Sequence, residues 1–253
     1  VAAHRIWAWI TVVSAKEPEQ EQGDHMSEAI FYVVEIELAP ADLPDFVDWY
    51  AAVHAPHLFN AGFRNCTSYL GVSGSMSVVD IYQADGWGMF EATAFQRYRE
   101  VAARDRFRPK SLAGIRNTRS VYHHLEPTPL PSHDPAAPLD TDWISILRFD
   151  GDAAIEARIA AWLREGGASA VGVQQARFLR RGRDAPTGRS DRPHLALVME
   201  WRERPPAMGV LMARLPDWLA ALLKAQDHFT GWRLYPWADD PTLRIKRGDP
   251  AGA

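Results

Sequence analysis

Tyr50, His54 and His57 stand four and then three residues apart in the segment FVDWYAAVHAPHLFNAGFRNCTSYL, residues 46–70. On a helix that spacing places all three side chains along one edge. An imidazole beside a closed apolar cavity titrates near neutrality, and a modest change in solvation moves it across pH 7, which suits proton transfer. His54 is the first candidate general acid or base, with Tyr50 or Tyr69 orienting a substrate oxygen or supplying a proton. A structural role is also open to His54: followed by Ala55-Pro56, it can bond a backbone carbonyl at the helix end and fix the bend into Gly62. His57, on a stripe with Phe46 and Val53, reads both as a pocket residue and as core. Glu35 is the third catalytic candidate. It alternates with Val34 and Ile36, so helices over the Tyr32 face would turn it toward a cavity with Phe31 and Val33. There a carboxylate has a raised pKa, unless it pairs with Arg64, Arg116 or Arg119. Phe31, Trp49, His57, Tyr69, Trp87 and His123 complete the expected substrate-binding set.

Metal and redox chemistry find less support. His54 and His57 with His123-His124 offer imidazoles, but His-x-x-His is short of a zinc signature, and adjacent residues of a strand point to opposite faces. No Asp or Glu stands beside them in ligand spacing, so no metal is expected. Haem would need an axial ligand from His54, His123, His194 or His228, and nothing selects among them; no cofactor is expected. The single cysteine, Cys66, excludes an internal disulfide and a Cys-based zinc site, and reads as a half-buried inert thiol. There is no GxGxxG, phosphate loop or GxSxG elbow.

The elements that must hold these residues follow one order twice. Residues 30–38 (IFYVVEIEL) are β-branched and aromatic, a strand. Asp42 before Leu43-Pro44 suits a helix start, and Gly62 its left-handed end. Residues 63–72 and 76–84 form a hairpin, 87–104 a helix and 115–125 a returning strand, giving β-α-β-β-α-β. Residues 126–141 hold five prolines and read as a linker. Beyond it come a strand at 143–149, a helix at 152–165, a hairpin of 170–180 with 194–201, a helix at 208–224 and a strand at 228–237. The expected division is an N-terminal extension (1–25), a first half (28–126), a linker (127–141), a second half (142–240) and a C-terminal tail (241–253). Each half leaves one sheet face bare, and such faces must be covered. The fold class is therefore α+β: tandem ferredoxin-like repeats closing into one intramolecular, pseudo-dimeric α+β barrel with a cavity between its sheets.

The segment 46–70 resembles the EthD family of the dimeric α+β barrel superfamily. The likeness lies in Trp49-Tyr50, His54 four residues later, Ala55-Pro56, and Gly62-Phe63 leading into the next strand. It covers the first half alone; residues 157–165 offer Trp162 but no histidine. The resemblance implies one pocket, or two unlike ones, and carries over His54 only. Its superfamily includes cofactor-free monooxygenases, decarboxylases, cyclases, isomerases and haem enzymes.

Bulk composition narrows the rest. With 253 residues, 47% hydrophobic, 24% charged and a net charge of −4, the chain has the makings of a packed core and no electrostatic footprint for nucleic acid. Arg177, Arg180, Arg181 and Arg183 form the one basic cluster, expected in a solvated hairpin loop. No apolar run approaches the roughly 20 residues of a membrane span. The segment 6–15 reads as a weak leader or as an extension ahead of Met26. The expected protein is cytoplasmic, a monomer or homodimer, acting by acid–base chemistry on a small aromatic or polyketide-like molecule. Non-catalytic binding of a hydrophobic metabolite and haem binding are the alternatives.

Overall fold

The computed structural model describes residues 26–126, 128–186, 188, 190–223 and 227–236, with side chains from residue 29 onward. The N-terminal extension and C-terminal tail lie outside these residues. The first half runs β1 (Met26–Ile36), α1 (Leu43–Trp49), a π-helical turn (Tyr50–His54), α2 (Ala55–Asn60), β2 (Asn65–Gly74), β3 (Val78–Ala84), α3 (Thr93–Ala103) and β4 (Asn117–Leu125). The second runs β5 (Trp143–Phe149), α4 (Ala153–Arg164), α5 (Gly167–Ala170), β6 (Gln175–Arg181), β7 (Leu195–Trp201), α6 (Met208–Arg214), α7 (Asp217–Leu223) and β8 (His228–Tyr235).

All eight strands close into one antiparallel barrel in the order β1-β3-β2-β8-β5-β7-β6-β4. The seams between halves are β2–β8 and β4–β6. Period-two alternation sorts the side chains. Phe31, Val33 and Glu35 turn inward, while Tyr32, Val34 and Ile36 turn outward beneath the helices.

The expected cavity between the sheets is filled. Phe31, Tyr69, Tyr122, Ile144, Ile146, Val198 and Phe229 interdigitate there, each contributing about 1.5–3 kcal/mol by leaving water. Charged side chains share this interior. Glu35 accepts from Arg148 at 2.6 Å and from Arg192 at 2.7 Å, and both arginines also reach Asp227. Arg177 donates to Glu200 at 2.6 Å. Most of the basic cluster is thus on a strand rather than in a solvated loop: Arg177 is fully buried on β6, Arg180 is bound to Glu156, and Arg183 alone stands exposed beyond the strand, as expected. Period-two neighbours in β6 put Arg177 on the inner face, where Glu200 of β7 compensates it.

The Pro-rich connection is not a free spacer. Leu139 is fully buried among the barrel-lining side chains, and its N–H donates to Gln83 at 3.0 Å. Tyr69 donates to the Thr141 carbonyl at 3.2 Å. Two helices are also shorter than their apolar periodicity suggests. The stretch 208–224 breaks at Leu215, which is extended (ψ 154°) because Pro216 disfavours a helical residue before it. A 3-10 turn (Trp87–Glu91) precedes α3, separated by extended Ala92. Gly62 takes the expected left-handed conformation, φ 108°.

Candidate functional site

Pro56 shapes the site. It has no N–H to give the carbonyl four residues earlier, and its ring crowds that carbonyl. The helix responds by widening at Tyr50–His54, where the N–H of Ala55 reaches back to Tyr50 O. Such π turns change which side chains share a face. Here the turn points His54 at β3, and its Nε2 lies 3.3 Å from the Tyr82 hydroxyl. Tyr82 in turn donates to Asp80 Oδ2 at 3.2 Å. Trp49 stacks on the His54 ring at 4.5 Å between centroids, and is itself anchored by donating to Asp105 Oδ2 at 2.7 Å.

These residues line a cavity of about 300 Å³ on the helix side of the first half. Its floor is the outer face of β1, β3 and β4 (Tyr32, Val34, Asp80, Tyr82, Arg119); its walls are Phe46, Trp49, His54, His57, Phe95 and Tyr98. Arg108 and Asp105 stand on the connection after α3. A cavity of this size lies at the lower end of small-molecule sites.

Burial sets the protonation states. Removal from water lowers His54 to about 3, with Arg108 adding to the effect, so its imidazole is neutral at pH 7. Burial raises Asp80 to about 7, against the smaller pull of the Ser68 and Tyr82 hydroxyls. Tyr50 and Tyr82 are pushed well above the ordinary phenol range, first by burial and then by Asp80. The chain His54–Tyr82–Asp80 therefore holds a neutral base at one end and a carboxyl poised between its two forms at the other. With Asp80 ionised, Tyr82 donates to Asp80 and accepts from Nε2–H of His54. With Asp80 protonated, both hydrogen bonds reverse.

The sequence candidates divide into three groups. Trp49, His54 and His57 meet at the cavity, and Tyr50 is fully buried behind it, 5.4 Å from His54 between ring centroids. Glu35, Phe31 and Tyr69 lie inside the barrel, on the opposite side of the sheet. Glu35 does face inward with Phe31 and Val33, but its partners are Arg148 and Arg192 rather than Arg64, Arg116 or Arg119. Trp87 packs on Phe90 and under Arg183, and His123 stands against Gly182, both outside the cavity. The adjacent His124 is the one that faces the barrel interior, edge-on to Phe31. Cys66 is fully buried.

Asp80, Tyr82, Tyr98 and Arg108 were not among the site residues expected from the sequence, and Arg119 stood there only as a possible partner of Glu35. One signal was visible: Asp80 is the one charged residue of the strand VVDIYQA, and Tyr82 shares its face. Among the described residues no group of three or more His, Cys, Asp or Glu side chains is placed to hold a metal ion, and no helix is long and apolar enough to cross a membrane.

No family model matches the sequence, and no curated protein matches it. Solved structures do resemble it. A chlorite dismutase-like protein, TA0507, aligns with TM-score 0.51 at 12% identity, over 81% of this chain and 95% of its own. An anthrone oxidase-like protein aligns with TM-score 0.49 at 12% identity, over 82% and 90%. A mutant chlorite dismutase from Candidatus Nitrospira defluvii, in complex with cyanide, aligns with TM-score 0.49 at 9% identity, over 88% and 95%. At these identities the likeness is one of fold alone: an eight-stranded α+β barrel.

Proposed function

We propose that this chain is an EthD-like, tandem ferredoxin-like enzyme that moves protons on a small aromatic or polyketide-like molecule held beneath the first-half helices. The observation that carries the reading is the His54–Tyr82–Asp80 chain ending in an aromatic cavity. Polar groups gathered at the cavity floor favour catalysis over simple storage, for which a uniformly apolar surface would serve.

The chemistry balances without a cofactor. With Asp80 ionised, Nε2 of His54 carries the proton and Nδ1 is the basic nitrogen. A C–H made acidic by a neighbouring carbonyl gives its proton to Nδ1 and leaves an enolate. His54 releases its Nε2 proton to Tyr82, and Tyr82 passes its own to Asp80. The imidazole ends neutral and the proton rests on Asp80, whose raised pKa accepts it. An enolate is the common entry to cyclisation, isomerisation, decarboxylation and direct oxygenation, so the reading spans lyases, isomerases and cofactor-free monooxygenases. Tyr50 backs the imidazole and takes no proton in this scheme.

Haem is not part of the reading, because of the histidines that could ligate it only His54 lines the candidate cavity. His54 is covered by Trp49 on one face and turned to Tyr82; His194 bonds Asp150 and His228 bonds Ser73. His123 stands against Gly182.

The test is hydrogen–deuterium exchange at the acidic carbon of 2-tetralone in D2O, followed by NMR. Catalysed exchange that falls by about 10²–10⁴-fold in His54→Ala supports the reading. Exchange unchanged in that variant removes His54 from catalysis. Binding with no exchange would leave a metabolite-sequestering protein.

A further inference from the structure

Three arginines line the cavity: Arg99, Arg108 and Arg119. Arg64, Arg116, Arg148, Arg177, Arg180, Arg192 and Arg233 each sit in an ion pair with a carboxylate. Arg108 and Arg119, which line the cavity, have no carboxylate within ion-pair distance among the described residues. Arg119 is half-buried on the outer face of β4, in the cavity floor. Arg108 donates only to the Leu112 carbonyl, at 3.4 Å. Both line the same cavity as Tyr98 and His54.

The nearby carboxylates bond to other groups and form no ion pair with either arginine among the described residues. Asp105 spends Oδ2 on Trp49 and Oδ1 on the backbone N–H of Phe107. Asp80 is buried beneath Tyr82 and engaged in the proton chain. An uncompensated guanidinium in a half-buried setting is a ready receptor for a planar anion, which it can bind through two parallel hydrogen bonds.

We propose that the molecule bound in this cavity is an aromatic carboxylate, its carboxylate held by Arg119 and Arg108 and its ring between Trp49, Phe46 and Tyr98. The proposal rests on the preceding reading of the cavity as the substrate site, and it names the substrate class. The carboxylate anchors one end of the ring system and turns the other toward His54. Electrostatic attraction at the mouth also speeds capture of such an anion and weakens as salt rises.

Isothermal titration with 2-naphthoate and the matched neutral 2-naphthamide tests it. We expect the acid to bind at least ten-fold more tightly than the amide, and Arg119→Gln to remove most of that preference. Arg108→Gln, at an exposed position, should reduce it without touching the fold; unchanged melting temperatures confirm that both variants are intact. Equal binding of acid and amide by the unaltered protein overturns the carboxylate proposal and leaves the aromatic cavity standing. A preference that survives both substitutions overturns it as well, since the anion then binds elsewhere. Binding of neither ligand overturns this proposal and the cavity reading together.

Discussion

The two halves share one element order and one strand order, yet they use the space between sheet and helices differently. In the first half, the outer faces of β1 and β3 pair Tyr32 with Tyr82 and Val34 with Asp80. At the corresponding outer positions of the second half, β5 and β7 pair Ser145 with Met199 and Leu147 with Leu197. Ile159, Leu163, Leu211, Leu215 and Leu219 press down on that surface. An opening does remain beneath α6 and α7, lined by Leu147, Met208, Met212 and Ala220, with Asp227 and His228 at its edge. Both polar groups there are already committed, Asp227 to Arg148 and Arg192, His228 to Ser73. Identical topology thus carries titratable groups on one side and packing on the other. The deciding difference is two side chains on the third strand of each half.

The sharpest way to break this comparison is to remove what both halves depend on. Arg148→Ala leaves Glu35 buried beside Arg192 alone and should cost about 3–5 kcal/mol in urea unfolding. A value near zero would mean the ionic cluster does not join the halves. Next, truncation should cost stability in the second half and activity in the first. Ile159→Ala, at a fully buried position, should lose about 2–5 kcal/mol. His54→Ala removes one neutral hydrogen bond and should cost only about 1 kcal/mol, while exchange of the test ketone falls by about two orders of magnitude or more. If the two variants have similar stability, the division of labour is wrong.

The smallest effect is a pH dependence. Asp80 titrates at about 7 in the fold against an ordinary value of 3.8, so between those values the folded protein binds the proton that the unfolded chain has lost. Its contribution to stability is present below pH 4 and disappears as pH rises through 7. His54 works oppositely: held at about 3 against 6.5, it favours the fold above pH 6.5 and loses that contribution as pH falls toward 3. Asp80→Leu makes the first half resemble the second at this position. Its melting temperature, relative to the unaltered protein, should therefore be higher at pH 8 than at pH 5. The same offset at both pH values would show that Asp80 keeps an ordinary pKa.

Much of the architecture was legible because it rests on local periodicity. The strand at 143–149 lies where its β-branched residues place it, and the face opposite Tyr32 does carry Glu35 inward. His54, Trp49 and His57 share a cavity because helical spacing puts them together. What escaped depends on partners distant in sequence. Glu35 meets Arg148 across 113 positions, and nothing near either residue announces the other. Arg177 looked like loop because its charged neighbours dominated, although its period-two position on a strand beside Glu200 was readable in principle. The location of the cavity was misread for a physical reason as well: two facing sheets with large aromatic and arginine side chains fill their own interior. That left the open space on the helix side, where the π turn holds the helix in an altered register.

The two seams, β2–β8 and β4–β6, are made within a single polypeptide, and this bears on dilution. Partners tied by a short connection meet at an effective concentration set by the tether rather than by the solution. The Leu139-bearing connection is also threaded into the structure it joins. Closure of the ring, and with it the support beneath the floor of the cavity, is therefore a unimolecular event. A rare copy in the cell is as complete as an abundant one.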